Sequence, residues 1–359
     1  MYFSPGYDED FDRSVRVTWK RWLFTALSFA AVIGVSAYFT AHWWGQGTKI
    51  NLPLTAHLLA IAAVATEVIS RAWKITWSAK AVRIRLSFRT SVRACLAGDF
   101  GASLTPARSG AEPARFLVLA ERGISPSDAL VVLYAELFLE MLSLATVVVI
   151  VAIIFRHAGA VIGALVGVVG LYSAFVLGIA ALAVMLSRHP TRTTPPGWAQ
   201  RLPISERRWR VIERWLASVR KTVDAMRNIE MKWAAASFTA SVVHVSVRLV
   251  VLPAIIYGAR GHWPTSLNEL APLALWPLGF LYGAAVVPAP GGGGAVEIAF
   301  SAALRKVIGP ELFAPALLWW RFYTFYIYIV LGALATGRTA MRALRKRDEL
   351  EAELERGED

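Results

Sequence analysis

The sequence predicts an all-α polytopic membrane protein with about six full spans and two oppositely oriented re-entrant helical hairpins, arranged as an inverted repeat. Three observations predict it. First, 56% of the 359 residues are hydrophobic and 18% charged, with 14 Trp and a mean hydropathy of +0.49, more apolar surface than one soluble core can hide. Second, six apolar runs reach the roughly 20 residues that a spanning helix needs. Third, two further apolar regions are interrupted by Gly- and Pro-rich tips of similar composition. Residues 1–359 read as a single transmembrane domain, because the longest polar stretch, about 188–232, is too short to house a catalytic domain.

The spans are expected at about 22–42, 51–70, 126–155, 158–187, 233–258 and 313–336. The segment 1–21 passes from acidic to basic between Asp8 and Arg21, and the first run lacks a small-residue cleavage site, so this span is read as retained. An even number of spans puts both termini on one side. Lys and Arg number 4 in residues 1–21, 7 in 71–93, 11 in 188–232 and 6 in the tail 338–359. The opposite loops hold only Lys49, Arg156, Arg260, Arg305 and Lys306. Because cations resist translocation, both termini are expected on the cytoplasmic side of the inner membrane. Within 188–232, Trp209, Ile212, Leu216, Val219, Val223 and Met226 recur at helical spacing among basic residues, a cytoplasmic amphipathic helix suited to an anionic leaflet.

Regions 94–125 and 269–308 must then begin and end on the same side, the first entering from the cytoplasm and the second from outside. Their tips, Thr105-Pro106-Ala107-Arg108-Ser109-Gly110-Ala111-Glu112 and Ala289-Pro290-Gly291-Gly292-Gly293-Gly294-Ala295-Val296-Glu297, both run Pro, three residues, Gly-Ala and then Glu. Hairpins entering from opposite faces are the trace of an inverted repeat whose site lies where broken helices meet near the midplane. Helix N-termini after Gly110 and Gly294 would present N–H groups and partial positive charge to an oxyanion. Arg108, Ser109 and Arg115 flank the first tip, and Pro113 suits a first helical turn. Glu112 and Glu297 are open to three roles: capping, balancing arginines, or carrying a proton.

Charges inside a span are costly enough that each is informative. Glu136 and Glu140 share a face of the third span, as His244 and Arg248 share a face of the fifth. At 1.5 Å per residue, Glu136 and His244 lie about 15–17 Å from the cytoplasmic ends and Glu140 and Arg248 about 21–23 Å, so the two pairs could meet. Arg321 would sit about 12 Å from the outer end of the last span, within reach of Glu297. Glu136, Glu140 and His244 read equally well as proton carriers or as ion pairs that hold helices in register. Arg248 and Arg321 point to an anion. Arg108, Ser109, Gly110, Glu112, Arg115, Arg248, Gly291, Gly292, Gly293, Gly294, Glu297 and Arg321 are therefore the candidate lipid-headgroup residues. The single cysteine, Cys95, makes no disulfide framework or multi-cysteine metal site. The sequence has no phosphate-loop, HExxH or dinucleotide motif, so no cofactor, metal or catalytic residue is expected, and a Ser109–His244 pair is unspecific.

Gly110-Ala111-Glu112-Pro113-Ala114-Arg115, with Leu117, Ala120-Glu121-Arg122-Gly123 and the span bearing Glu136 and Glu140, resembles the first half of the lysylphosphatidylglycerol synthase-like transmembrane family, also called flippase-like integral membrane proteins. Pro288 to Glu297 and the aromatic span around Arg321 resemble its second half, and together the resemblance covers nearly the whole chain. Members often carry Pro-Gly-Arg where this chain has Pro106-Ala107-Arg108, an Arg where it has Leu137, and an Asp where it has Glu140. The resemblance implies a stand-alone lipid-translocating module without the soluble synthase half, and not an aminoacyltransferase.

The first functional expectation is thus a flippase for an anionic phospholipid or a polyprenyl-phosphate-linked lipid, working downhill or ion-coupled, with no nucleic-acid partner. The alternative is a non-transporting scaffold that recruits a glycosyltransferase or lipid-modifying enzyme through 188–232. An intramembrane transferase or hydrolase is a third class.

Overall fold

The computed structural model describes scattered helical residues between Leu27 and His42, then residues 51–157, 159–187, 206–285, 287 and 289–337. Most of the first expected span, the segment 1–21, the stretch 188–205 and the tail 338–359 lie outside the described residues. Every regular element among the described residues is helical: α1 Leu54–Ala81, α2 Phe88–Leu104, α3 Ala111–Glu121, α4 Pro126–Ile154, α5 Ala160–Ser187, α6 Glu206–Arg227, α7 Met231–Arg248, α8 Val251–Arg260, α9 Leu267–Gly283, α10 Ala295–Ile308 and α11 Pro310–Arg321. A π-turn over Phe322–Tyr326 carries α11 onward, so that the last span runs Pro310–Gly337.

Helix starts follow their sequence signals. Ser125 accepts a hydrogen bond from the Asp128 N–H at 3.2 Å, and Pro126 fills the first turn of α4. Ser87 and Ser266 cap α2 and α9 in the same way. Four described helices are long and apolar enough to cross a membrane: α1, α4, most of α5, and the last span. A fifth follows if α7 and α8, bent by 42°, form one broken span.

That bend departs from the unbroken helix expected at 233–258. Pro253 has no N–H to donate, and its ring would clash with the carbonyl of Leu249, so the helix stops at Arg248 and restarts at Val251. Arg248 thereby occupies the C-terminal turn of α7, where the helix dipole favours a cation.

A second departure concerns α1. The sequence pattern ends this span near residue 70 and places the cations of 71–93 in the cytoplasm, but α1 continues to Ala81 and buries Arg71 and Lys74. Two of the seven cations in that stretch are therefore interior. They are tolerated because α4 and α2 bring carboxylates to them.

Between these helices, close packing replaces a hydrophobic driving force, as lipid tails are no less apolar than the side chains. α7 lies along α1 and α4, with Ser78 hydrogen-bonded to Ser237 at 2.8 Å and Ser143 to Ser241 at 2.6 Å, all four buried. Phe280, Phe300, Phe313 and Trp320 cluster in edge-on and tilted contacts where α9, α10 and α11 converge. α6 packs its buried Trp209, Leu216 and Val219 toward α4 and α5, so this part of its apolar side is used within the protein. α2 with α3, and α9 with α10, form two packed helical pairs, each folded back at one of the Gly/Pro-rich tips.

Candidate functional site

The two tips meet. The Ala107 N–H donates to the Val287 carbonyl at 3.2 Å, and the short turns Pro106–Arg108 and Pro290–Gly292 pack against one another. Their backbones are alike: Ala107 and Arg108 have φ of 50° and 56°, and Gly291 and Gly292 have φ of 60° and 67°. Glycine adopts this left-handed region freely, whereas a residue with a Cβ spends about 1–2 kcal/mol there.

A polar cavity of about 40 Å³ lies at this junction. Four arginines line it, Arg71, Arg108, Arg248 and Arg321, together with the carboxylates Glu67 and Asp99. Most of these charges are spoken for. Glu67 Oε1 accepts from Arg248 Nε at 3.0 Å, and its Oε2 accepts from Tyr328 at 2.8 Å. Arg71 Nη2 donates to Asp99 Oδ1 at 2.7 Å. Arg321 Nε donates to Glu297 Oε1 at 2.7 Å, with the carboxylate fully buried and the guanidinium 4.8 Å from the Phe325 ring centre. Arg108 is the exception: among the described residues it makes no salt bridge or hydrogen bond, and the carboxylate that attracts it, Asp99, is already bonded to Arg71. Counting Glu297, the wall carries four cations against three anions and has room for a further negative charge.

A second ionic cluster lies beside the first hairpin. Lys74, 1% exposed, bridges Glu136 and Glu140, the latter at 2.8 Å. Arg115 Nη1 reaches Glu112 at 3.1 Å and Glu136 at 3.2 Å. Burying such groups is tolerable only with partners this close.

Of the residues singled out from sequence, Arg108, Arg248, Gly291 and Arg321 line one cavity. Ser109, Gly110, Glu112, Arg115, Gly292, Gly293 and Gly294 do not. The glycines' own N–H groups are used within the tips: the Gly110 N–H donates to Thr105 Oγ1 and the Gly294 N–H to Glu297 Oε2, each at 2.7 Å. Glu297 thus caps α10 and balances Arg321 at once. The expected pairing of Arg248 and His244 with Glu140 and Glu136 is corrected. Glu67, one turn before Arg71 on α1, takes Arg248, and His244 Nε2 lies 3.7 Å from the same carboxylate.

Sequence reasoning missed Glu67, Arg71, Lys74 and Asp99. The signal was present, since positions 67, 71 and 74 share one helical face. Ending the span at residue 70 hid Arg71 and Lys74, whereas Glu67 falls inside the expected span and Asp99 inside the first interrupted region.

A family model described as the lysylphosphatidylglycerol synthase TM region matches residues 17–332. The chain belongs to this family. No curated protein matches it. Ala107, a residue with a Cβ, holds the left-handed region at φ 50° and carries the strain of doing so.

Proposed function

We propose that this protein moves a phosphate-bearing, anionic lipid across the inner membrane, with the headgroup held at the junction of the two hairpin tips. One observation carries the reading: Arg108, in a strained backbone conformation, lines a polar cavity without a salt bridge of its own among the described residues, its attracting carboxylate Asp99 being bonded to Arg71. Backbone strain persists where the surroundings impose it and is concentrated at ligand clamps and switches. A guanidinium is suited to phosphate because its planar fork donates two hydrogen bonds.

The matched tips support reading the hairpins as re-entrant halves of an inverted repeat. With Arg71 and Lys74 moved inside, the remaining basic residues of the 71–93, 188–232 and terminal segments still favour a cytoplasmic placement of both termini. The sequence carries no nucleotide-hydrolysis motif, so movement is downhill or ion-coupled, and the Lys74 cluster supplies carboxylates for coupling. On this reading the protein is a translocase and performs no group transfer.

Reconstitution into liposomes containing a phosphatidylglycerol with a fluorescent headgroup tests it. Inner-leaflet lipid should become accessible to an added quencher in vesicles with the protein and stay protected in empty vesicles. Equal protection in both would refute the reading for this lipid class.

A further inference from the structure

The polar cavity has a neighbour. A pocket of about 170 Å³ is lined by Ile33, Ala37, Leu317, Leu318, Glu297 and Arg321. Tyr326 completes the lining, which apart from the ion pair and the tyrosine hydroxyl is apolar. Arg321 lines both chambers, so the Glu297–Arg321 pair is a shared wall with a charged face on one side and a largely apolar chamber on the other. The π-turn reinforces the division, since consecutive residues serve different chambers, Phe325 the polar one and Tyr326 the apolar one. The helical residues around Ile33 cover the second tip closely: a side chain at Gly294 would meet Val35 at 3.3 Å.

The sizes limit what can enter. At about 40 Å³ the polar cavity has room for only a few water-sized groups. It can take the compact anionic end of a ligand and nothing long. A chain attached to that end has to lie elsewhere, and the adjoining chamber has the apolar lining that an acyl chain needs. A larger apolar crevice of about 520 Å³ between α4, α5 and α6 shares no lining residue with the polar cavity, so a molecule with its phosphate at Arg108 does not reach it across a common wall.

We infer that the ligand is an amphiphile held in two parts, its phosphate in the polar cavity and one acyl chain in the pocket beneath Ile33 and Ala37, with the Glu297–Arg321 pair as the partition it passes. This rests on the lipid reading above and adds the place of the tail. It also sets a phospholipid apart from a soluble phosphate, which would use the first chamber alone.

The test uses the full chain in detergent with phosphatidylglycerol carrying a diazirine in one acyl chain, irradiated and mapped by mass spectrometry. Label is expected on Ile33, Ala37 and residues 317–326, and excess unlabelled phosphatidylglycerol should remove it. Ala37→Trp, which fills the pocket, should lose that label while glycerol phosphate still raises the melting temperature. Label confined to the crevice lined by Phe138, Val176 and Val223, or spread over lipid-facing residues such as Leu171 and Phe175, would overturn the two-part site. The label pattern is read on the parent protein alone, so it decides the matter even if the Trp variant fails to fold. The liposome assay separates the two failures: lipid that moves while label falls elsewhere removes only the tail site, whereas lipid that neither moves nor labels removes the transport reading as well.

Discussion

The two hairpin tips share a backbone and differ in where their charge comes from. The first places Ala107 and Arg108 in the left-handed region and projects the arginine from the turn itself. The second fills the equivalent positions with Gly291 and Gly292, and its cation comes from the neighbouring last span as Arg321. Arg321 is locked by a fully buried Glu297, whereas Arg108 makes no salt bridge among the described residues and shares the attraction of Asp99 with Arg71. One tip is therefore a structural joint and the other presents a charge. Strain is accepted at the first and avoided by glycine at the second.

The largest expected effect breaks the joint. Arg321→Gln leaves Glu297 buried without its partner and should destabilise the protein by about 3–5 kcal/mol, read as thermal unfolding in detergent. Adding Glu297→Gln should recover much of this loss. A single variant that melts with the parent would show the pair to be dispensable and the contrast between the tips to be false.

Next comes the glycine cradle. Gly291 has φ 60°, and a Cβ there would strike the Phe325 ring. Gly291→Val should cost about 2 kcal/mol or more, from left-handed strain added to overpacking. Gly293, at φ −55° and ψ 140°, sits in a conformation open to any residue. Gly293→Ala should therefore melt close to the parent, which sharpens the claim that glycine is required in this tip at positions 291, 292 and 294, all at positive φ, and not at 293.

The smallest effect has the opposite sign. Ala107→Gly relieves the strain at φ 50° at the expense of greater freedom in the unfolded chain, for a net gain of about 0.5–1 kcal/mol. A loss of stability would mean that the left-handed turn at the first tip is not strained.

The helical pairs, their tips and the Arg321–Glu297 contact were legible because local composition encodes them: Gly and Pro set the turns, and spacing set the depth of Arg321. The Glu67–Arg71–Lys74 face was not. A charged residue near an expected helix end looks the same whether it is solvated or buried, and only the partners on α2, α4 and α7 decide. Arg248 was recognised as interior, but its partner was misassigned, because equal depth does not fix which neighbouring helix faces it. The break at Arg248 was foreshadowed by Pro253, which the hydropathy of the run concealed.

The central claim is that Arg108 is presented to a ligand and not to the fold. It is tested most directly by the melting temperature of Arg108→Gln with and without added phosphatidylglycerol. The expected variant melts with the parent in lipid-free detergent but loses most of the stabilisation the lipid confers, since a ligand stabilises only the state that binds it. Arg108→Lys, which keeps the charge but not the planar fork, should retain part of the response. An Arg108→Gln protein with the full lipid response would contradict the claim.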